Sequence, residues 1–309
     1  MIQNSTMSIR RPYDQPEGYF VTHPNGQITH YHLDTFTDPW LPASRKPVVM
    51  FNPGCARTCE MWYHWVPRLA REFVVIRRDS RGHGKSSYPR RISPWSDQEH
   101  NEYEGGYKWD IDTILDEMID LLDQLKIDQI IFFGEATSGE VGHAFAARHP
   151  SRTLALITCS SPTLLPPQTI NMFAVGERSW PEAIIKHGAR GWNERLATNK
   201  GTLPQDTTYL EWLLEEAGKT HREGLAGYVI FLTSLTSRPF LSGIQCPYLI
   251  LAPTNSAAVP LSESYWIASQ VSQAELVEVD APGHEIFAEA ADKCIDATLA
   301  FLHKHNLGG

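Results

Sequence analysis

Short, almost uninterrupted apolar runs alternate with longer amphipathic stretches along most of the chain. Val48–Asn52, Phe73–Arg78, Gln129–Gly134, Leu154–Cys159, Tyr248–Ala252 and Leu276–Val279 are rich in Val, Ile, Leu and Phe. Runs with so little polar alternation are expected of parallel strands buried on both faces. Ahead of them, Gly18–His23 and Ile28–Phe36 flank His23-Pro24-Asn25-Gly26, where Asn-Gly predicts a hairpin turn. Helices are predicted over 60–71, 108–125, 137–148 and 285–304. The second carries the clearest stripe, Trp109, Ile111, Ile114, Leu115, Met118, Leu121, Leu122 and Leu125 at helical spacing. Strand and helix patterns in alternation predict an α/β fold, a mainly parallel central sheet flanked by helices on both sides.

Two segments interrupt the alternation. Residues 86–107 form a polar connection with Pro and Gly, longer than a structural link requires. Residues 162–245 contain no convincing strand but many aromatic residues, and are expected to be a helical cap inserted into a core made of 1–161 and 246–309. A chain of 309 residues, 42% hydrophobic, is long enough to bury such a core.

Charge and cysteine usage narrow the partners. A formal net charge of −9, with no basic tract, argues against nucleic acid or an anionic membrane as the main partner. No apolar stretch approaches the ~20 residues that span a bilayer, and MIQNSTMSIRRPYDQ has no apolar run of signal-peptide type. Five scattered cysteines at 55, 59, 159, 246 and 294 suit a reducing, cytoplasmic setting. The expected state is a monomer or homodimer without cofactor. No metal is expected either: Cys55 and Cys59 lack a second pair at zinc spacing. His30 and His32 share one face of a strand with no identifiable third ligand, so that face is expected to be solvated.

The chemistry centres on Gly134-Glu135-Ala136-Thr137-Ser138-Gly139, between a buried strand and a helix. This order resembles the nucleophile elbow of the α/β-hydrolase fold, Gly-x-nucleophile-x-Gly. In that frame the apex is Ala136, which can attack nothing; the alternative frame makes Ser138 the nucleophile. Three more segments fit the family in order: Pro53-Gly54-Cys55, Asp79-Ser80-Arg81-Gly82-His83-Gly84-Lys85-Ser86 and Gly283-His284.

The resemblance implies oxyanion-hole amides at Cys55 and Thr137, a general base at His284, and a structural turn around Asp79 and His83. It also implies an acid after the Tyr248–Ala252 strand, where this chain carries Ser256, or after the preceding strand, at Cys159-Ser160-Ser161-Pro162. Glu135, Glu140 and Glu263 are the candidate substitutes. The activity implied is hydrolysis of a carboxylic ester or lactone through a serine acyl-enzyme, with Ala136 in the serine's place as an inactivating replacement. The alternatives are a non-hydrolytic relative that binds an apolar ligand, and a cofactor-free lyase or C–C hydrolase using His284 as base. The aromatic insertion implies a bulky apolar small-molecule substrate, touching Gly54, Glu135, Phe173, Trp180, Trp192, Trp212, Tyr228 and Phe231.

Overall fold

The computed structural model describes residues 17–36, 46–93 and 101–308. The reading of the amino-terminal stretch as lacking a signal peptide falls outside these residues, as does part of the 86–107 connection.

Eight strands form one sheet: β1 (Tyr19–Thr22), β2 (Ile28–Asp34), β3 (Val48–Asn52), β4 (Val74–Arg78), β5 (Ile130–Glu135), β6 (Thr153–Cys159), β7 (Tyr248–Pro253) and β8 (Ala274–Val279). Their spatial order is β1-β2-β4-β3-β5-β6-β7-β8. β1 and β2 are the expected hairpin, turning at Gly26 with φ 80°, and β2 pairs antiparallel with β4. Every other pairing is parallel.

The unbroken apolar runs have the anticipated cause. Val49, Phe51, Ile131, Phe133, Ala155 and Ile157 face one apolar cluster, while Met50, Phe132, Leu156 and Ile250 face another across the sheet. Both faces are covered, so the central strands are apolar along most of their length, and buried polar residues such as Asn52, Arg78, Glu135 and Thr158 fall at or near their carboxyl ends. On the first face Phe51 stacks on Trp62 at 4.4 Å between centroids, and Trp65 and Phe133 close around them at 5.7 and 4.9 Å from Phe51. Rings of this size bury much of the core's apolar area.

The helices are α1 (Val66–Leu69), α2 (Ile111–Gln124), α3 (Thr137–Arg148), α4 (Pro167–Phe173), α5 (Trp180–Leu196), α6 (Thr207–Gly218), α7 (Arg222–Ser234), α8 (Leu261–Gln270), α9 (Ile286–Glu289) and α10 (Ala291–Lys304). α2 matches its stripe and starts at Asp110, whose carboxylate accepts from Thr113 N at 2.8 Å. Helices α4 to α7 lie between β6 and β7, and α5 kinks at Gly188, φ 66°.

Three expectations shift. The helix expected over 60–71 is a 3-10 segment, Cys59–Trp65, followed by one α turn, because Pro67 has no amide proton to continue the ladder. The closing helix breaks at Ala290 (φ −130°, ψ 39°) into α9 and α10. α8 is additional; it buries only Ser264 and Ile267, so it carries no apolar stripe to read.

The expectation of a solvated face for His30 and His32 is overturned. His30 is 1% exposed, with Nδ1 2.7 Å from Asp79 Oδ2 and Nε2 2.9 Å from the Glu17 carbonyl. His32 lies 3.0 Å from Glu60. Cys59 completes two clusters of metal-ligand type, with His30 and Asp79 and with His32 and Glu60. Asp79 also accepts from Cys59 N and Lys85 N, at 2.8 and 2.9 Å, so its oxygens are spent on scaffolding.

The aromatic cluster yields a stability prediction. Phe133→Ala should destabilise the protein by about 3–5 kcal/mol in urea unfolding, whereas Phe20→Ala at an exposed position should stay within about 0.5 kcal/mol.

Candidate active site

β5 passes into α3 with one residue between them. Glu135 ends the strand and Thr137 begins the helix, so Ala136 turns the chain alone at φ 47°, ψ −123°. That conformation costs a non-glycine residue on the order of 1–3 kcal/mol. The turn needs bare backbone around it: a Cβ on Gly134 would lie 2.7 Å from Ser138 O and 2.9 Å from Gly139 Cα, and one on Gly139 would overlap Ser161. Ala136 is the only residue between Ile130 and Ala146 that is not fully buried, and its open side faces a cavity. Ser138, the apex in the alternative frame, is buried inside α3 with its hydroxyl donating to Pro53 O at 2.5 Å. The apex is Ala136.

The loop after β3 approaches this turn so closely that a Cβ on Gly54 would come within 3.0 Å of the Ala136 Cβ. Cys55 and Thr137 both line the cavity, and neither amide has a hydrogen-bond partner among the described residues. His83 fastens this loop from behind: its Nδ1–H donates to Arg81 O and its Nε2 accepts from Ala56 N, both at 3.0 Å. Its role is scaffolding, as the turn motif suggested. The Cys55 thiol is pushed far up by burial, which leaves no thiolate for attack.

His284 follows β8 and lines the same cavity, half-buried. Burial, and then the Arg57 charge, lower its pKa to about 4, so the ring is neutral at pH 7. Its Nδ1 lies 2.8 Å from Ser256 Oγ. No candidate carboxylate takes that place. Glu140 is fully buried with neither oxygen partnered among the described residues, and burial, then Glu263, raise its pKa well above the ordinary range. Glu263 accepts from the Thr163 hydroxyl and sits 3.4 Å from Arg238.

Glu135 does reach the cavity, but not the histidine. Its Oε2 accepts from Gly54 N at 2.7 Å. Burial raises its pKa to about 7, reinforced by Glu285 and opposed by Arg57 and the Gly54 amide.

Arg57 and Glu285 are cavity residues that sequence reasoning missed. Arg57 Nε donates to Glu285 Oε1 at 2.9 Å, a second nitrogen pairs with the same oxygen, and a third donates to Asn193 of α5 at 3.0 Å. Burial would depress the guanidinium, but Glu285 and Glu135 outweigh it and hold its pKa up. The pair is separated by 228 residues, so no local pattern betrays it.

The aromatic insertion contributes in part as expected. Phe173, Trp180 and Trp192 line the cavity with Leu196, Leu203 and Ala258; Trp180 stacks on Trp192 at 5.9 Å, and Trp192 donates to Phe173 O at 2.7 Å. Trp212, Tyr228 and Phe231 do not line it. Tyr228 is buried edge-on against His83 at 4.7 Å with Phe231 beside it, and Trp212 packs on Tyr209. Tyr228 and Phe231 fill the core and Trp212 lies half-buried at the edge of the other apolar cluster; aromatic composition does not say which face of a helix meets the ligand. The cavity is narrow, about 50 Å³, against roughly 300–1,000 Å³ for common ligand pockets.

The chain belongs to the α/β-hydrolase fold family, whose model matches residues 47–291. It is 23% identical over 243 residues to 3-oxoadipate enol-lactonase 2 of Acinetobacter baylyi, covering 76% of this chain and 81% of that protein. It is 25% identical over 281 residues to a putative carbamate hydrolase of a Caulobacter species, covering 84% of this chain and 92% of that one. Among solved structures, an enol-lactonase from Burkholderia xenovorans superposes with a TM-score of 0.74 at 22% identity, over 92% of this chain and all of the other. A thermophilic esterase from Thermogutta terrifontis gives 0.73 at 21% identity, over 93% and 98%. Among the described residues, no helix is long and apolar enough to cross a membrane.

The raised Glu135 pKa has a thermodynamic sign. Between the ordinary value of 4.5 and about 7 the folded state holds a proton that the unfolded state has released. This contribution to stability is full below 4.5 and is lost as pH rises through 7. Thermal melts at pH 5 and pH 8 should therefore show wild type losing stability relative to Glu135→Gln as pH rises. Comparing the two proteins cancels the opposite contribution of His284 below pH 6.5.

Proposed function

We propose that the protein hydrolyses a small carboxylic ester or lactone whose carbonyl oxygen rests between the amides of Cys55 and Thr137. The observation that carries this reading is the convergence of two unpartnered amides, Ala136 and His284 on one cavity. The relatives named as enol-lactonase and carbamate hydrolase support a hydrolase. We take residues 162–245 as a cap over a core of 1–161 and 246–309, supported by the insertion's share of the cavity wall.

Acyl-enzyme chemistry needs a nucleophile at 136 and an acceptor for the His284 Nδ1 proton, and this chain has alanine and serine there. Attack therefore falls to water, with Glu135 as base. The Glu135 carboxylate takes a proton as the water oxygen bonds to the carbonyl carbon. The carbonyl electron pair moves onto oxygen against the two amides. Collapse restores the carbonyl and breaks the acyl–oxygen bond, and the departing oxygen ends with the proton that Glu135 took.

Phenyl acetate and δ-valerolactone are suitable probes. Turnover should rise with pH through about 7 as Glu135 ionises, and Glu135→Gln should lower it by roughly 100-fold or more. Intact-mass measurement during turnover should show no acyl adduct. A fully active Glu135→Gln enzyme, an adduct on the chain, or no turnover of either probe would overturn this reading.

A further inference from the structure

Ser256 does more than fill the place of a missing carboxylate. Its Oγ lies 3.1 Å from Ala258 N and 2.9 Å from Val259 N, both donating to it, and 2.8 Å from His284 Nδ1. A hydroxyl oxygen has two acceptor lone pairs and one proton to give. The two backbone amides occupy both lone pairs. A third donor at Nδ1 would find no lone pair, and it would leave the hydroxyl proton without an acceptor. The only arrangement that satisfies all three contacts has Ser256 donating to a bare Nδ1.

We infer that Ser256 holds His284 as the Nε2–H tautomer, so that the ring presents a hydrogen-bond donor to the cavity where a triad histidine presents a lone pair. This deepens the function proposed above and rests on it only for the identity of the substrate. Nδ1 is tied to the loop after β7, and Nε2 has no hydrogen-bond partner among the described residues while the ring lines the cavity. The ring's neutrality at pH 7 leaves one proton to place, and Ser256 decides which nitrogen carries it. The Ser160 hydroxyl donates to the His284 carbonyl at 2.6 Å and steadies the loop after β8 that carries the ring. A ligand atom beside Nε2 is then an acceptor: the carbonyl or departing oxygen of an ester or lactone, or a carboxylate oxygen of the product. Ser256 is a positioning residue, acting through His284.

The test is a long-range ¹H–¹⁵N correlation spectrum of the ligand-free full chain at pH 7, with the His284 resonances assigned by comparison with His284→Gln. Wild type should show Nε2 protonated and Nδ1 bare, Ser256→Thr should keep that state, and Ser256→Asp should move the proton to Nδ1. Nδ1–H in wild type would overturn the inference, whichever variants fold. A second readout is acylation by p-nitrophenyl acetate. Ala136→Ser alone should give little burst, because its histidine offers no lone pair to the serine. Ala136→Ser/Ser256→Asp should acylate roughly 10³–10⁴-fold faster, the scale on which a wrong tautomer slows a triad. A full burst from Ala136→Ser alone would also overturn it. The spectrum needs no substrate, so failure of the hydrolase reading and failure of the tautomer assignment are separate results.

Discussion

The buried Arg57–Glu285 pair ties the site together. Arg57 belongs to the loop after β3, Glu285 to the loop after β8 and Asn193 to α5, and one guanidinium bonds or pairs with both. Arg57 is also the only cation among the residues lining the cavity. Its charge sets the protonation of its neighbours: it lowers the pKa of His284 and pulls against the burial that raises that of Glu135. Breaking a buried pair from one side costs roughly 3–5 kcal/mol, because a charge is left unpaired. The loops carrying the unpartnered amide of Cys55 and the imidazole are thus held in register by the interaction that fixes their electrostatics.

Much of the architecture was legible because it follows from burial on both faces of a parallel sheet. The six apolar runs became β3 to β8 with small changes at their ends, and the Asn25-Gly26 turn produced the β1–β2 hairpin. Elements whose periodicity is weak were less legible. α8 buries too little to show a stripe, and α3 is buried from Thr137 through Ala146, so it was recognised by its glycines and small residues. The aromatic residues of the insertion predicted a ligand wall in aggregate. Which rings form that wall depends on how α5 and α7 pack against each other, and Tyr228 instead became the partner of His83.

The site divides along the same line. Ala136, Cys55, Thr137 and His284 were singled out by the resemblance of their ordered motifs to the α/β-hydrolase fold, and the structure brings all four to one cavity. The position of Ser256 was readable, but its meaning was not. A serine in place of an aspartate reads as a loss until Ala258 N and Val259 N are seen to occupy the oxygen's lone pairs. Glu135 was readable only as a neighbour of the apex; its contact with Gly54 N and the burial that raises its pKa are three-dimensional.

These features bear on one another. An alanine at the apex removes any need for a base at His284, and a hydroxyl at 256 removes the means of making one. A lone loss at 136 would leave an intact acceptor at 256; instead both positions depart in a mutually consistent way. The amides of Cys55 and Thr137 depend on neither, since backbone geometry and the Gly54 approach set them. On the mechanism proposed above, what persists is a cavity that donates hydrogen bonds to oxygen, with the proton-accepting role carried by a carboxylate one residue before the apex. On that proposal Ser256 and Ala136 form one coherent substitution of a catalytic strategy, and the strained turn would hold Glu135 and Thr137 on either side of the same carbonyl.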